Sequence, residues 1–168
     1  MQFVEGRSAQ DYNRRKKRRG SFWEDRYHCT IIDSGRYLWT CLAYIDLNMV
    51  RAGVISNPEE WDWCGFREWM GLRRRYRIID LPILIEKTGA ESLGELQRHY
   101  LAVLDDHMKA GRLSRDPEWT ESLAVGDRTF VESLQDRFSG RRIVISELPY
   151  HSTRGSSWSI REKARPYS

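Results

Sequence analysis

Apolar positions recur most regularly between Gly35 and Gly53. There Leu38, Cys41, Leu42, Ile45 and Met49 stand three and four residues apart and predict one face of an amphipathic helix, with Ser34 as N-cap and Gly53 just past its end. On such a helix Tyr44 and Asn48 lie one turn apart and share a side, whereas Asp46 is swung about 100° per residue away from each. Upstream, Phe3, Val4 and Tyr12 predict a short helix within Met1–Asn13, interrupted at Gly6. The run Tyr27-His28-Cys29-Thr30-Ile31-Ile32, rich in β-branched and aromatic residues and closed by Asp33-Ser34-Gly35, predicts a strand from Arg26 to Ile32.

Downstream, Asn57 and Pro58 read as N-cap and first helical residue, with Glu59 and Glu60 where the helix dipole favours anions. Trp61, Trp63, Phe66 and Trp69 form an aromatic cluster expected to pack beneath the tyrosine-bearing helix. Asp80-Leu81-Pro82 opens a helix ending at Gly89, and Ser92 with Glu95 is a capping box. From it runs a longer helix whose Leu93, Leu96, Tyr100, Val103, Leu104 and Met108 make one face before Gly111. Asp116-Pro117 starts another helix, and Asp127 caps a segment with Phe130, Val131, Leu134 and Phe138 at helical spacing before Gly140. Arg141 to Ser146 is a strand or an extended tail, and the Ser, Arg and Gly content from Pro149 onward reads as a mobile terminus onto which Trp158 docks back. These elements define an α+β, predominantly helical chain with one or two strands. The composition changes near residue 72, dividing it into 1–72, a helical extension 73–148 and a tail 149–168.

With 168 residues, 40% hydrophobic and 31% charged, the chain suits one domain or a domain with a helical annex. Seven Trp and eight Tyr argue against disorder, because such rings are packed or used for stacking. No apolar run approaches the roughly 20 residues that span a bilayer, and the N-terminus lacks a signal-peptide core, so a cytoplasmic protein is expected, with no membrane partner. Cys29, Cys41 and Cys64 share no C-x-x-C spacing, which argues for reduced, packed thiols.

The net charge of +4 is modest, but Arg14, Arg15, Lys16, Lys17, Arg18 and Arg19 are consecutive. A bare charge run is commonly a solvated loop. Here Phe22, Trp23, Tyr27 and Tyr37 follow it, and cations interleaved with rings suit single-stranded DNA, whose bases stack while its backbone tracks positive charge. Arg73, Arg74, Arg75 and Arg77 around Tyr76 make a second basic patch. A lone strand histidine such as His28 is ordinarily a surface or packing residue. The capped helices after residue 80 resemble a helix-turn-helix reader only in outline, since no helix among them bristles with Arg, Asn or Gln.

A tyrosine beside an apolar stripe is usually a packing residue with its hydroxyl at the rim. The wording around Tyr44 changes that weighting. Y-I-D-L-N-M-V-R-A-G, followed by N-P-E-E-W-D-W-C-G-F-R-E-W and preceded by Y-N-R-R-K-K-R-R-G-S-F-W-E-D-R-Y, resembles the IS200-like transposases and more closely their REP-associated tyrosine transposase branch. The resemblance covers roughly residues 1 to 70. It implies the C-terminal part of a ferredoxin-like transposase domain, with Tyr44 as nucleophile and Asn48 as helix-borne metal ligand. It further implies cleavage and rejoining of hairpin-bearing single-stranded DNA through a 5′-phosphotyrosine link, with Mg²⁺ or Mn²⁺ as cofactor. Arg51 joins Arg14 to Arg19 in the expected DNA-binding set.

The sequence departs from that family in one serious respect. The family's metal site uses a His-hydrophobic-His strand, and His28, His99, His107 and His151 contain no such pair; the matching segment would precede Met1. The expectation is therefore a truncated form that cannot cleave alone, or one whose histidines arrive in trans. Met49 replaces a proline common in the family, which lets the helix run on. The readings set against catalysis are a non-catalytic nucleic-acid-binding module and a structural helical domain that forms a homodimer through the Leu93 to Met108 face.

Overall fold

The computed structural model describes residues 2–23, 28–73, 75, 77–109, 116–148 and 156–163. They form an α+β structure. Eight helices, α1 (Gln2–Lys16), α2 (Arg36–Asp46), α3 (Asn48–Arg51), α4 (Phe66–Trp69), α5 (Leu81–Thr88), α6 (Leu93–Lys109), α7 (Glu118–Glu121) and α8 (Arg128–Ser133), accompany four strands. The strands β1 (Ile31–Ile32), β2 (Ala124–Gly126), β3 (Ile143–Leu148) and β4 (Ser157–Glu162) lie in the order β1-β2-β4-β3. The β1–β2 pair is parallel and the other two pairs are antiparallel.

Local capping chemistry sets the helix starts. Asp80 accepts the Ile83 N–H at 3.2 Å, Asp127 accepts that of Phe130 at 2.7 Å, and Asn57 accepts that of Glu59 at 3.0 Å, where Pro58–Glu60 makes a 3₁₀ turn. The Ser92 hydroxyl accepts the Glu95 N–H, while the Glu95 carboxylate reaches past Ser92 to the N–H of Glu91. Ser34 does not cap α2. Gly35 holds that position at φ 63°, a left-handed conformation that favours glycine, and its N–H bonds the Lys87 carbonyl at 3.0 Å. The tether to α5 outweighs a local serine cap.

The expected strand from Arg26 shrinks to Ile31–Ile32, with Arg26 and Tyr27 outside the described residues. Residues 28–30 are held by side chains instead of a ladder. The His28 ring bonds the Ser122 carbonyl at 2.8 Å, and the Thr30 hydroxyl donates to the same carbonyl at 2.7 Å. The segment read as helical extension supplies β2 and β3, and β4 lies within the stretch read as a tail, between β2 and β3. Ser159 and Ile160 there are completely buried. The helix expected through Phe138 ends at Ser133, and Gln135–Phe138 tightens into a 3₁₀ turn. The stop expected at Gly111 lies outside the described residues.

The main core joins Trp39, Ala43 and Leu47 of the central helical segment to Phe66, Trp69, Leu96, Tyr100 and Leu104, and so draws on both sides of residue 72. The Trp69 and Tyr100 rings are 4.1 Å apart, while of the expected aromatic cluster Trp61 and Trp63 remain outside this core. Tyr37 faces a second cluster with Trp119, Val125 and Leu148, and a third cluster of Leu123, Ala124, Val131, Leu134 and Ile160 fills the space around α8 and the sheet. Because α2 is covered on two sides, the face predicted from Leu38, Cys41, Leu42, Ile45 and Met49 is not the buried one. Ile45 is 51% exposed, whereas Trp39, Ala43, Asp46 and Leu47 are buried.

Gly126 tests the packing of α8 on the sheet. A Cβ there would stand 2.3 Å from Phe130 Cδ1 and 2.8 Å from Asp33 Cβ. Gly126→Ala is expected to cost about 1–3 kcal/mol through displacement of Phe130. Urea unfolding of the two proteins measures it, and equal midpoints would show that the ring moves freely.

Candidate functional site

The tyrosine-bearing segment pauses at Leu47, whose φ and ψ of −80° and 0° separate α2 from α3. The backbone N–H groups at this junction bond the carbonyls of Ala43 and Ile45 and skip Tyr44. The guanidinium of Arg51 takes the Tyr44 carbonyl instead, its Nη2 donating at 2.9 Å. The same guanidinium stacks on the Tyr44 ring, 3.8 Å from its centroid, and donates to Asn48 Oδ1. Tyr44, Asn48 and Arg51 therefore form one constellation. Tyr44 and Asn48 share a side of the segment, and Arg51 is the clamp between them.

Tyr44 is half-buried and Asn48 is exposed. Behind the tyrosine lies Trp119 of α7, with ring centroids 6.4 Å apart and planes tilted by 39°. The ring is thus flanked by an indole and a guanidinium, which fixes its orientation without sealing it inside. Trp119 is a neighbour that residue spacing could not reveal, because it arrives from 75 positions down the chain on a short helix.

Asp46 turns the other way, into the core. The Tyr100 hydroxyl donates to its Oδ2 at 2.6 Å, with both side chains buried. Burial pushes the carboxyl of Asp46 up to about 6, against the hydroxyl of Tyr100 and the backbone N–H of Phe66, which pull it down. Burial likewise raises the Tyr100 phenol, reinforced by the Asp46 charge. The neighbouring Cys41 thiol, raised by burial to about 11, is a packed apolar group at neutral pH and no nucleophile.

A divalent ion at Asn48 would need further oxygen or nitrogen donors around it. Among the described residues no three His, Cys, Asp or Glu side chains gather into a group that could hold a metal. The one expected ligand atom, Asn48 Oδ1, already faces a guanidinium, whose charge would repel a cation brought to the same oxygen. Among the described residues none joins Asn48 in a donor set that fits Mg²⁺ or Mn²⁺.

The basic run sits elsewhere. Arg14, Arg15 and Lys16 form the last turn of α1 and are not a loop, a position the helix dipole favours for cations. Lys17 turns the chain at φ 50°, and the Arg18 N–H closes the turn on the Asn13 carbonyl at 2.9 Å. All six cations, Arg14 to Arg19, are exposed, and only Arg14 has a carboxylate partner among the described residues, Asp11 at 3.6 Å. The turn folds Phe22 back onto Tyr12, with ring centroids 4.7 Å apart, and sets Trp23 edge-on to Phe22. The Trp23 indole N–H donates to the Glu5 carbonyl at 3.1 Å, and its ring remains 49% exposed. Among the described residues no hydrogen bond, ion pair or ring contact joins this run to Tyr44, Asn48 or Arg51.

Comparison of the chain with protein-family models, with curated proteins and with solved structures finds no match. Among the described residues no helix is long and apolar enough to cross a membrane.

Proposed function

We propose that this chain is a transposase-related protein that binds single-stranded, hairpin-bearing DNA. The observation that carries the reading is the exposed turn Arg14 to Arg19 beside the ring cluster of Tyr12, Phe22 and Trp23. Six cations, of which only Arg14 has a carboxylate partner among the described residues, supply a phosphate track, and a half-exposed indole supplies a stacking platform. On this reading α2, α3 and β1 correspond to the C-terminal part of a ferredoxin-like transposase domain. The family's reaction assigns Tyr44 to attack on a DNA phosphate with formation of a 5′-phosphotyrosine ester. The half-buried ring, oriented by Trp119 and Arg51, supports such a placement.

One observation favours a second reading, a nucleic-acid-binding module without strand cleavage. Asn48 Oδ1 is taken up by Arg51, so the constellation as it stands is a clamp, and the metal-assisted step lacks its ligands among the described residues. Incubation with Mn²⁺ and a labelled hairpin with a single-stranded flank separates the two. The binding module retains the labelled strand natively and forms no denaturant-resistant adduct. An adduct that disappears in Tyr44→Phe establishes the cleaving enzyme, and no retention of either hairpin or flank refutes the DNA reading itself.

A further inference from the structure

Of the five indoles placed between residues 39 and 119, Trp39, Trp69 and Trp119 are buried and Trp61 is half-buried, but Trp63 is 78% exposed. It lines a cleft of about 270 Å³ together with Asp62, Arg67, Leu72 and Arg73. That is close to the lower end of small-ligand clefts, about 300 Å³. We propose that this cleft is a second seat for a single DNA strand, one base stacking on Trp63 while its phosphate lies on Arg73. The inference rests on the single-strand reading above and extends it to a part of the molecule that reading does not use.

The cleft is built, with its walls tied together. Arg67 is fixed from two sides, its Nε 3.2 Å from the Asp62 carboxylate and its Nη1 donating to the Glu59 carbonyl at 2.7 Å. The Arg73 N–H donates to the Arg67 carbonyl at 2.7 Å, which holds the second guanidinium-bearing residue against the first. Arg67 neutralises Asp62, so the one carboxylate at the rim does not turn a phosphate away. Arg73 has no carboxylate partner among the described residues, and Arg75 and Arg77 continue the positive charge along the chain. Leu72, 45% exposed, offers an apolar edge beside the indole. An exposed indole next to an uncompensated guanidinium matches the alternation of flat base and anion along a single strand. A second copy of this chain fits less well, since its own net charge of +4 would meet like charge.

The test uses the full chain labelled with 5-fluorotryptophan, the Trp63 resonance being assigned by its loss in Trp63→Phe. On titration with dodecathymidylate that resonance should move. Trp63→Ala should weaken binding about 5- to 150-fold, the range for loss of one base–aromatic stack, and Arg73→Ala should weaken it in the same direction. Because Trp63 is so exposed, Trp63→Ala should keep the wild-type unfolding midpoint, so that lost binding is not lost folding. Binding that depends on Arg14 to Arg19 yet leaves the Trp63 resonance and the affinity of Trp63→Ala unchanged overturns the cleft and leaves the single-strand reading standing. Absence of any binding by the wild-type chain overturns both. A resonance that moves with protein concentration and ignores the oligonucleotide also overturns the cleft, as the mark of a self-association surface.

Discussion

Ending the chain at Ser156 is expected to abolish cooperative folding of the sheet. β4 is hydrogen-bonded on both sides, to β2 from Ala124 to Gly126 and to β3 from Ile143 to Leu148. Its removal strips the ladder from both neighbours and uncovers Leu123, Ala124 and Val125, all buried. Ile160 alone, fully buried against Val131 and Leu134, is worth about 2–5 kcal/mol when cut to alanine. The lost hydrogen bonds add about 0.5–1.5 kcal/mol each. A domain stable by about 5–15 kcal/mol does not survive the sum. Thermal unfolding followed by near-ultraviolet circular dichroism should show no transition for the truncated chain and a transition at lower temperature for Ile160→Ala. A wild-type transition in the truncated chain would place β4 outside the folded unit.

The second large effect is electrostatic and lies at Asp46. Its carboxyl titrates at about 6 in the fold, above the ordinary carboxylate value of 3.8, because burial penalises the charge. A carboxyl raised in this way binds its proton more tightly folded than unfolded, so stability is greatest at low pH. It falls as pH rises from about 4 to about 6 and is level above that. A displacement of about two units corresponds to about 3 kcal/mol. Asp46→Asn, still able to accept from the Tyr100 hydroxyl, is expected to lose this dependence and to match or exceed the wild type at pH 7.5. Tyr100→Phe leaves the buried carboxylate short of one donor and should destabilise by about 1–3 kcal/mol at pH 7.5, and by less at pH 5. Urea midpoints of the three proteins at both pH values measure this. A wild-type profile parallel to that of Asp46→Asn would show that Asp46 is hydrated in the fold.

Local chemistry was the legible part of this sequence. Asp80, Asn57, Asp127 and Ser92 declare helix starts because a short side chain and an N–H two or three residues on settle the matter within one turn. The side shared by Tyr44 and Asn48 was legible for the same reason. What depended on distant partners was not. β2 is three residues long and stands or falls with the strands beside it. In β4 no alternation of apolar and polar residues marks the strand, since the small Ser157 and Ser159 on one face are buried as completely as Ile160 on the other. Helix α2 misleads by a different route: covered on two sides, and with a carboxylate drawn into its core by Tyr100, it has no single apolar stripe. At the site, Arg51 entered as a DNA contact, and its grip on Tyr44 and Asn48 follows from the pause at Leu47, which no spacing rule foretells.

On the proposed function, the run from Arg14 to Arg19 holds the phosphates of a single strand. Fluorescence anisotropy of labelled dodecathymidylate across a salt series tests it directly, comparing the wild type with a chain carrying serine at all six positions. Each phosphate neutralised on a single strand contributes about 0.7 to the slope of log affinity against log salt, so the full run accounts for up to about 4. A steep wild-type slope that flattens by about 2 to 4 in the serine chain is the predicted result. Equal slopes and equal affinities in the two proteins would contradict it.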